Sequence, residues 1–305
     1  MRKAVSGFAL FSSFAWLIAA LVQSGAQSPA QSGPPGTDIY VANLAYRSGR
    51  YVVGKFANIT KRPGYDNQPS FLADGQSLLY TSIRDDKQAD IYRYAFKDGS
   101  TTQLTATPES EYSPTPTLDG KSFSVIRVEA DSSQRLWKFP FGGGEPALVL
   151  KSVKPVGYHL WIDERTLALF ILGKPNTLQI VDAPSEHAET IAENIGRSLL
   201  RIPGRQAISF VHKVSAGEWV IKALEIKSHK IAPVVKTLAG SEDCAWTSEG
   251  QLIMAREGKL YQYDPAKDKD WREFADLSSE GVTGITRLAV SPQGNRLALV
   301  AADAR

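Results

Sequence analysis

Eight polar or charged residues fall near the ends of short predicted strands in this sequence: Asn67, Arg84, Arg127, Glu129, His159, His212, Asp243 and Arg256. Three of them are arginines, two are histidines and two are carboxylates. Guanidinium groups bind carboxylates and phosphates through paired hydrogen bonds, so a ring of such residues predicts a site for a small anionic ligand. In the alternative interpretation, these groups satisfy one another and water.

The residue pattern gives little support for metal binding or for catalysis by a serine nucleophile. The four histidines are scattered, and neither His159 nor His212 lies at a spacing typical of metal ligands. The sequence also contains no Gly-x-Ser-x-Gly motif, the nucleophile elbow of one class of serine peptidase. We therefore predict no cofactor, no metal ion and no serine peptidase activity. An active site assembled from distant segments would leave little local signal, so catalysis stays open as an alternative.

The elements that must position these residues form a repeated unit of two apolar strands joined by a tight turn, followed by an aromatic-rich third strand. The turns lie at Gly75, Gly120, Glu164, Arg205, Gly250 and Gly294, with intervals of 45, 44, 41, 45 and 44 residues. A period in the low forties with about four strands per unit is typical of a β-propeller blade. The pair Asp74-Gly75 is typical of a type I′ hairpin turn. The expected starts of the innermost strands are Asn67, Tyr112, His159, Ser198, Asp243 and Thr286.

Half a unit lies at each end of the repeats. Residues 285–290 and 296–301 supply two inner strands, and residues 38–44 and 51–59 supply a third and a fourth strand. Joined, they complete one blade and remove two open sheet edges. The sequence therefore predicts a complete, all-β chain. Its residues 38–305 are expected to form a six-bladed β-propeller of four-stranded antiparallel blades, in which N- and C-terminal strands share one blade.

The N-terminal residues 1–26 have the three parts of a secretory signal peptide: basic Arg2-Lys3, a largely apolar stretch over 4–22, and the small residues Ser24-Gly25-Ala26. A retained membrane anchor is the alternative, because this stretch is long enough to span a bilayer. Residues 27–37 are rich in Gln, Ser, Pro and Gly and are expected to form a flexible leader. Cleavage would give a periplasmic or secreted protein without membrane insertion.

The charge and the cysteine content limit which partners and cross-links the chain can have. Without Arg2 and Lys3, the chain has 33 basic and 32 acidic residues, a net charge of +1. No basic cluster is present, so we predict no binding to nucleic acid. Cys244 is the only cysteine, which excludes an intramolecular disulfide. We expect a monomer.

A family resemblance rests on the first complete repeat. Residues 69–82, Pro-Ser-Phe-Leu-Ala-Asp-Gly-Gln-Ser-Leu-Leu-Tyr-Thr-Ser, together with 90–94 and 103–105, resemble the repeat of TolB-like periplasmic β-propellers, a WD40-like family with Pro-Asp-Gly repeats. Residues 291–298 are a second copy. The resemblance covers roughly residues 38–305. It does not include the α/β domain that precedes the propeller in TolB.

The resemblance implies a function as a non-catalytic binding or scaffold module of the cell envelope. The partner would be an envelope protein or a small anionic ligand. The alternative is a propeller enzyme, such as a lactonase-like hydrolase or a lyase, acting on a small anionic substrate at the central channel. Whether the chain is an enzyme is thus undecided by its sequence, and the non-catalytic interpretation is favoured.

Overall fold

The computed structural model describes residues 34–85 and 87–303, and most of this part of the chain is β-strand. Within it, a 3-10 turn at Ser278–Glu280 is the only helical element. No helix in the described residues is long and apolar enough to cross a membrane. The predicted signal peptide and residues 27–33 of the predicted leader lie outside the described residues. The first strand begins at Thr37, so the last residue assigned to the leader belongs to the sheet.

Twenty-four strands follow one another in the described chain. The first twelve are β1 (Thr37–Arg47), β2 (Arg50–Asn58), β3 (Tyr65–Phe71), β4 (Ser77–Ile83), β5 (Ala89–Ala95), β6 (Thr101–Gln103), β7 (Ser110–Pro116), β8 (Ser122–Val128), β9 (Gln134–Pro140), β10 (Ala147–Leu148), β11 (Val156–Trp161) and β12 (Thr166–Ile171). The second twelve are β13 (Thr177–Asp182), β14 (His187–Glu193), β15 (Ile195–Arg201), β16 (Ala207–Ser215), β17 (Glu218–Glu225), β18 (Ile231–Lys236), β19 (Cys244–Trp246), β20 (Leu252–Arg256), β21 (Lys259–Tyr263), β22 (Arg272–Asp276), β23 (Arg287–Val290) and β24 (Arg296–Ala302).

The strands pair mainly with their neighbours in the chain. Four separate antiparallel sheets comprise β7 to β10, β11 to β14, β15 to β18 and β19 to β22. The remaining eight strands form one sheet of two four-strand sets, β3 to β6 and β23-β24-β1-β2, linked by one parallel pair between Thr37 and Tyr65. In the second set, β1 pairs with β24 from Thr37–Ala302 to Asn43–Arg296. Strands from the beginning and the end of the described chain therefore share one set.

The hairpin between the first and second strand of each set is closed by the same backbone hydrogen bond. The N–H groups that donate this bond belong to Leu72, Thr117, Ile162, Ile202, Thr247 and Ser291. The hairpins near Glu164 and Arg205, which lack the Asp-Gly pair, thus close like the others.

The turn type differs from the predicted type I′. Gly75 has a φ of 64°, but Asp74 does not have a positive φ, which a type I′ turn requires at both central residues. Instead, the N–H of Gly75 donates to the carbonyl of Leu72, and the Asp74 carboxylate accepts from the N–H of Gln76 at 2.8 Å. The aspartate therefore stabilises the loop by side-chain capping, while only the glycine adopts the left-handed conformation.

The core lies between neighbouring sheets, and the second strand of each set is its most buried part. Leu78, Leu79 and Tyr80 of β4 are at most 1 % exposed, and residues 297–301 of β24 are fully buried. Sheets covered on both faces carry continuous apolar runs instead of alternating ones. Burial of each such leucine contributes about 1.5–3 kcal/mol. This packing holds the less apolar first strands in place.

The first strands β3, β7, β11, β15, β19 and β23 contact one another in that order, and β23 also contacts β3. They therefore surround a common axis. Residues of these strands, together with Asp243 just before β19, line the central cavity.

Candidate functional site

The central cavity encloses about 160 Å³ and is lined by one equivalent residue from each first strand or the position just before it: Gln68, Ser113, Tyr158, Ser198, Asp243 and Arg287. Each lies four residues before the N–H that closes its hairpin. The pairing of β3, β7, β11 and β15 with their second strands is irregular at this level. Such irregularities redirect side chains out of the normal alternation, here toward the cavity.

Charged side chains meet at one end of the cavity. Nε of Arg197 donates to Oδ2 of Asp243 at 3.0 Å, and its Nη2 also contacts that oxygen. Nη1 of Arg287 lies 3.7 Å from Oδ1 of Asp243, and its Nη2 donates to the hydroxyl of Tyr158 at 2.8 Å. We call Tyr158, Arg197, Asp243 and Arg287 the charged mouth.

A second acid and a third cation border the charged mouth. Nζ of Lys213 lies 2.6 Å from Oε2 of Glu242, and the backbone N–H of Arg197 donates to Oε1 of Glu242 at 2.7 Å. Burial opposes the ionisation of Glu242, but these hydrogen bonds keep the pKa of its carboxyl below the usual range. Burial also opposes the charge on Arg197, whereas the Asp243 carboxylate raises the pKa of the guanidinium. The side chains of Arg197, Lys213 and Arg287 therefore face the carboxylates of Glu242 and Asp243.

Part of each guanidinium group is left over for a ligand. Among the described residues, Nη1 of Arg197 and Nε of Arg287 have no hydrogen-bond partner. Both arginines line the central cavity and also an adjoining cavity of about 220 Å³, which Asp243 borders as well. Their side chains are 31 % and 15 % exposed. An oxyanion in this position would meet donors from two arginines.

Phenol hydroxyls add neutral hydrogen-bond donors near the arginines. Burial raises the pKa of Tyr65 to about 12, and the charges of Arg287 and Arg197 oppose that shift, which places this phenol in the same electrostatic environment. Tyr65 is therefore protonated at neutral pH. The hydroxyl oxygen of Tyr158 accepts a hydrogen bond from Arg287.

A serine and a histidine contact each other deeper in the channel, in an arrangement that resembles a nucleophile with its base. Oγ of Ser124 lies 2.6 Å from Nε2 of His159. However, the Ser124 hydroxyl is fully buried and also accepts the indole N–H of Trp161 at 2.9 Å. Burial lowers the pKa of His159 to about 3, so this imidazole is a weak base at neutral pH. The geometry therefore indicates a structural contact that orients both rings.

The structure brings two of the eight predicted residues, His159 and Asp243, into the central cavity. Asn67 immediately precedes the cavity residue Gln68, but its own side chain is buried and donates from Nδ2 to Oγ1 of Thr37 at 3.3 Å. The other five predicted residues line neither of the two cavities.

The three predicted arginines lie over aromatic rings of third strands. Measured from the guanidinium carbon to the ring centroid, the pairs are Arg84 over Tyr92 at 3.7 Å, Arg127 over Trp137 at 4.3 Å and Arg256 over Tyr261 at 6.0 Å. Nε of Arg127 also donates to the fully buried Oε1 of Glu111 at 3.0 Å. These arginines are used within their own sheets and do not converge.

The remaining two predicted residues also act locally. Glu129 accepts a hydrogen bond from Nε1 of Trp137 at 2.8 Å and another from Nε of Arg135 at 2.8 Å. His212 lies on β16, and burial lowers the pKa of its imidazole. Within the described residues, no group of three or more His, Cys, Asp or Glu side chains is placed to hold a metal ion.

Sequence reasoning missed Arg197, Arg287 and Tyr158. The first two each lie one residue from a predicted strand start, Ser198 or Thr286. A search for arginines on either side of each predicted first strand would have found both. Nothing in the sequence distinguishes Tyr158 from the chain's other tyrosines.

The sequence itself matches no protein-family model and no curated protein. Solved structures, in contrast, match the fold. The chain resembles the structure attributed to TolB from Agrobacterium tumefaciens with a TM-score of 0.69 and 15 % identity, covering 89 % of this chain and 99 % of that one. These similarities, with the sheets arranged around one cavity, define the fold as a β-propeller.

Other solved structures match the same fold. TolB from Acinetobacter baumannii matches with a TM-score of 0.56 and 12 % identity, over 87 % of this chain and 64 % of that one. A puromycin-hydrolysing peptidase from Mycobacterium tuberculosis matches with a TM-score of 0.56 and 13 % identity, over 82 % of this chain and 47 % of that one. The same fold thus occurs in a peptidase and in proteins described as TolB.

Proposed function

We propose that this chain is an exported, non-catalytic β-propeller that binds an anionic group at its charged mouth. The observation that carries the proposal is the pair Arg197 and Arg287, whose unpartnered N–H donors face two adjoining cavities. Paired guanidinium groups favour carboxylate or phosphate oxygens over neutral ligands. The ligand is therefore a small carboxylate or phosphate, or an acidic group of a protein partner in the cell envelope.

The scaffold for this site is a propeller of six blades, in which strands from the two ends of the chain share one blade. Six hairpins with the same closing hydrogen bond support this count. The pairing of β1 with β24 supports the shared blade. Residues 1–26 act as a signal peptide in this proposal, and the exported protein is a periplasmic monomer. The mass of the protein purified from a bacterial periplasm tests the cleavage after Ala26.

Binding without catalysis is favoured by the state of the most base-like residue in the channel. His159 is buried, its pKa is lowered to about 3, and it contacts a serine that is itself fully buried. The alternative is a lyase or hydrolase, and the contact between Tyr158 and Arg287 favours it, because a phenol beside a guanidinium can transfer a proton. Ligands that bind should therefore also be assayed for turnover.

The test is isothermal titration of the purified protein with citrate, inorganic phosphate and acetate, each at low salt. We expect at least one of the anions to bind, and Arg287→Ala to weaken that binding by about tenfold or more, because it removes a partly buried charged donor. Arg256→Ala is the matched control, since Arg256 is exposed and lies outside both cavities. Binding that is unchanged in Arg287→Ala would contradict the proposal, as would no binding of any of the three anions at millimolar concentration.

A further inference from the structure

The end of the channel away from the charged mouth is lined mainly by apolar side chains. The side chains three residues further along the first strands than the central ring lie at Phe71, Pro116, Trp161, Arg201, Trp246 and Val290. They contribute to a cavity of about 530 Å³ that shares Pro69, Ser70 and Leu200 with the central cavity. We call Phe71, Trp161, Arg201 and Trp246 the apolar mouth. A volume of this size is typical of pockets that hold small organic ligands.

Two indole rings in the apolar mouth are held in fixed orientations. Nε1 of Trp161 donates to Oγ of Ser124 at 2.9 Å, and Nε1 of Trp246 donates to Oγ of Ser209 at 2.8 Å. Both serines lie on second strands of the preceding set, 37 residues earlier in the chain. Trp161 is 7 % exposed and Trp246 is half-buried, and because each indole N–H is used within the protein, the part of each ring that borders the cavity is apolar.

One cation lies between the two tryptophans in the order of the first strands. Arg201 is exposed, and its Nε donates to the carbonyl oxygen of Trp161 at 3.1 Å. Among the described residues, its guanidinium forms no ion pair within 4.0 Å. Burial opposes the ionisation of Asp163, but hydrogen bonds from the backbone N–H groups of Arg165 and Thr166, together with the charge of Arg201, lower the pKa of its carboxyl. Arg201 thus keeps donors for an external anion.

We propose that the apolar mouth binds a planar aromatic monocarboxylate, with the ring against Trp161 and Trp246 and the carboxylate on Arg201. Rigid aromatic faces favour a flat ring over a flexible chain, because stacking adds to burial and costs no ordering of the protein. A single unpaired arginine fits one negative charge. The apolar mouth and the charged mouth consist of different residues. This proposal therefore does not rest on the proposed function.

The probe for this site is 2-naphthoate, and binding is followed by calorimetry and by the fluorescence of the tryptophans. We expect saturable binding that Trp246→Leu weakens by about tenfold or more, because the substitution removes a stacking surface. Arg201→Gln should weaken 2-naphthoate by about fivefold but leave the neutral analogue 2-naphthalenemethanol unchanged, since only the anion uses the guanidinium. Arg201 is exposed, so this variant keeps the fold even if Trp246→Leu is unstable.

Arg256→Ala is the control, because Arg256 is exposed and lines none of these cavities, and it should leave 2-naphthoate binding unchanged. If Arg287→Ala weakens this probe and Arg201→Gln does not, the aromatic acid binds at the charged mouth and the proposal is wrong. Equal affinity for decanoate and 2-naphthoate would overturn the preference for a flat ring. No binding of 2-naphthoate at millimolar concentration would overturn the site as a whole.

Discussion

The arginines of the charged mouth and the arginines of the sheet faces begin from the same chemistry and end in different roles. Arg197 and Arg287 share one carboxylate and direct their remaining donors toward cavities. Arg84 and Arg127 instead lie 3.7 and 4.3 Å above aromatic rings of their own sheets. Arg127 is 6 % exposed and is tied to a carboxylate with no exposure at all.

The difference shows what makes a charged residue available to a ligand. A guanidinium has five N–H donors, and it can bind a ligand only with those that the protein leaves unused and accessible. In the sheet faces, ring stacking and buried carboxylates occupy the group. At the charged mouth, Arg197 and Arg287 line two cavities, so the same residue type has donors that a ligand can reach.

The largest expected effect is a difference in unfolding free energy between a sheet-face variant and a charged-mouth variant. Arg127→Met leaves the buried Glu111 carboxylate without its cation, and breaking such a pair costs about 3–5 kcal/mol. Arg287→Met removes a contact that is partly exposed and should cost about 1 kcal/mol or less. Urea unfolding of both variants measures the two free energies. Anion affinity should change in the opposite order, being retained in Arg127→Met and lost in Arg287→Met.

The double variant Arg127→Met with Glu111→Gln tests whether the unpaired Glu111 carboxylate causes the loss of stability. It removes both charges, so much of the lost stability should return. Equal stability losses in Arg127→Met and Arg287→Met would mean that burial does not distinguish the two sets of arginines.

The next effect concerns the channel between its two mouths. Burial lowers the pKa of His159 to about 3, against about 6.5 in the unfolded chain. The unfolded state therefore binds a proton below pH 6.5 that the folded state refuses, and the free energy of unfolding falls as the pH drops from 6.5 toward 3. Between pH 7.5 and 4.5, His159 should account for a loss of about 3 kcal/mol.

Urea unfolding at several pH values, compared between the wild type and His159→Gln, isolates this contribution. The variant should lose less stability on acidification than the wild type does. His212→Gln is the matched control, because the pKa of His212 is also lowered but the residue lies outside the cavity. Parallel pH curves for the wild type and His159→Gln would show that water or a counter-charge reaches the imidazole.

The repeat was predictable from the sequence, whereas the use of its side chains was not. The hairpin turns lie where glycine and aspartate predicted them, because left-handed residues and side-chain capping are local properties of the chain. The charged mouth includes Arg197, which lies beside an irregular pairing of β15, and Arg287, which lies in a regular pair with Val300; each is one residue from a predicted strand start. A slip of one residue in a strand redirects its side chains, and local sequence does not fix such slips.

The fates of Arg84 and Arg127 illustrate the same limit. Each lies at the end of a second strand, as predicted, but its direction is set by an aromatic residue on the third strand, Tyr92 or Trp137. The number of charged residues along the sequence does not show whether an arginine contacts a ring of its own sheet or lines a cavity. The apolar mouth was not predictable either. In the sequence, Trp161 and Trp246 look like ordinary packing residues, and only the structure shows that their indole N–H groups donate to serines.

A smaller effect tests how Asp243 limits the charged mouth. Asp243→Asn removes a carboxylate that occupies donors of Arg197 and neutralises part of the charge of Arg287. We expect the affinity for phosphate to rise by about tenfold, equivalent to about 1.4 kcal/mol. Calorimetry of the variant measures this change, and Asp276→Asn on β22 is the control of equal charge. A weaker affinity would mean that Asp243 serves mainly to hold Arg197 in its binding orientation.

The smallest effect lies within the sheet-face set itself, where Arg84 and Arg256 differ in how closely they approach a ring. Arg84 is half-buried at 3.7 Å from Tyr92, and Arg256 is exposed at 6.0 Å from Tyr261. Cation–π contacts at exposed sites contribute about 0.5–1 kcal/mol and weaken with distance. Arg84→Ala should therefore lower the free energy of unfolding by about 1 kcal/mol. Arg256→Ala should lower it by less than about 0.5 kcal/mol. Equal losses would show that the ring contact contributes nothing, and that the aliphatic part of each side chain provides the stability.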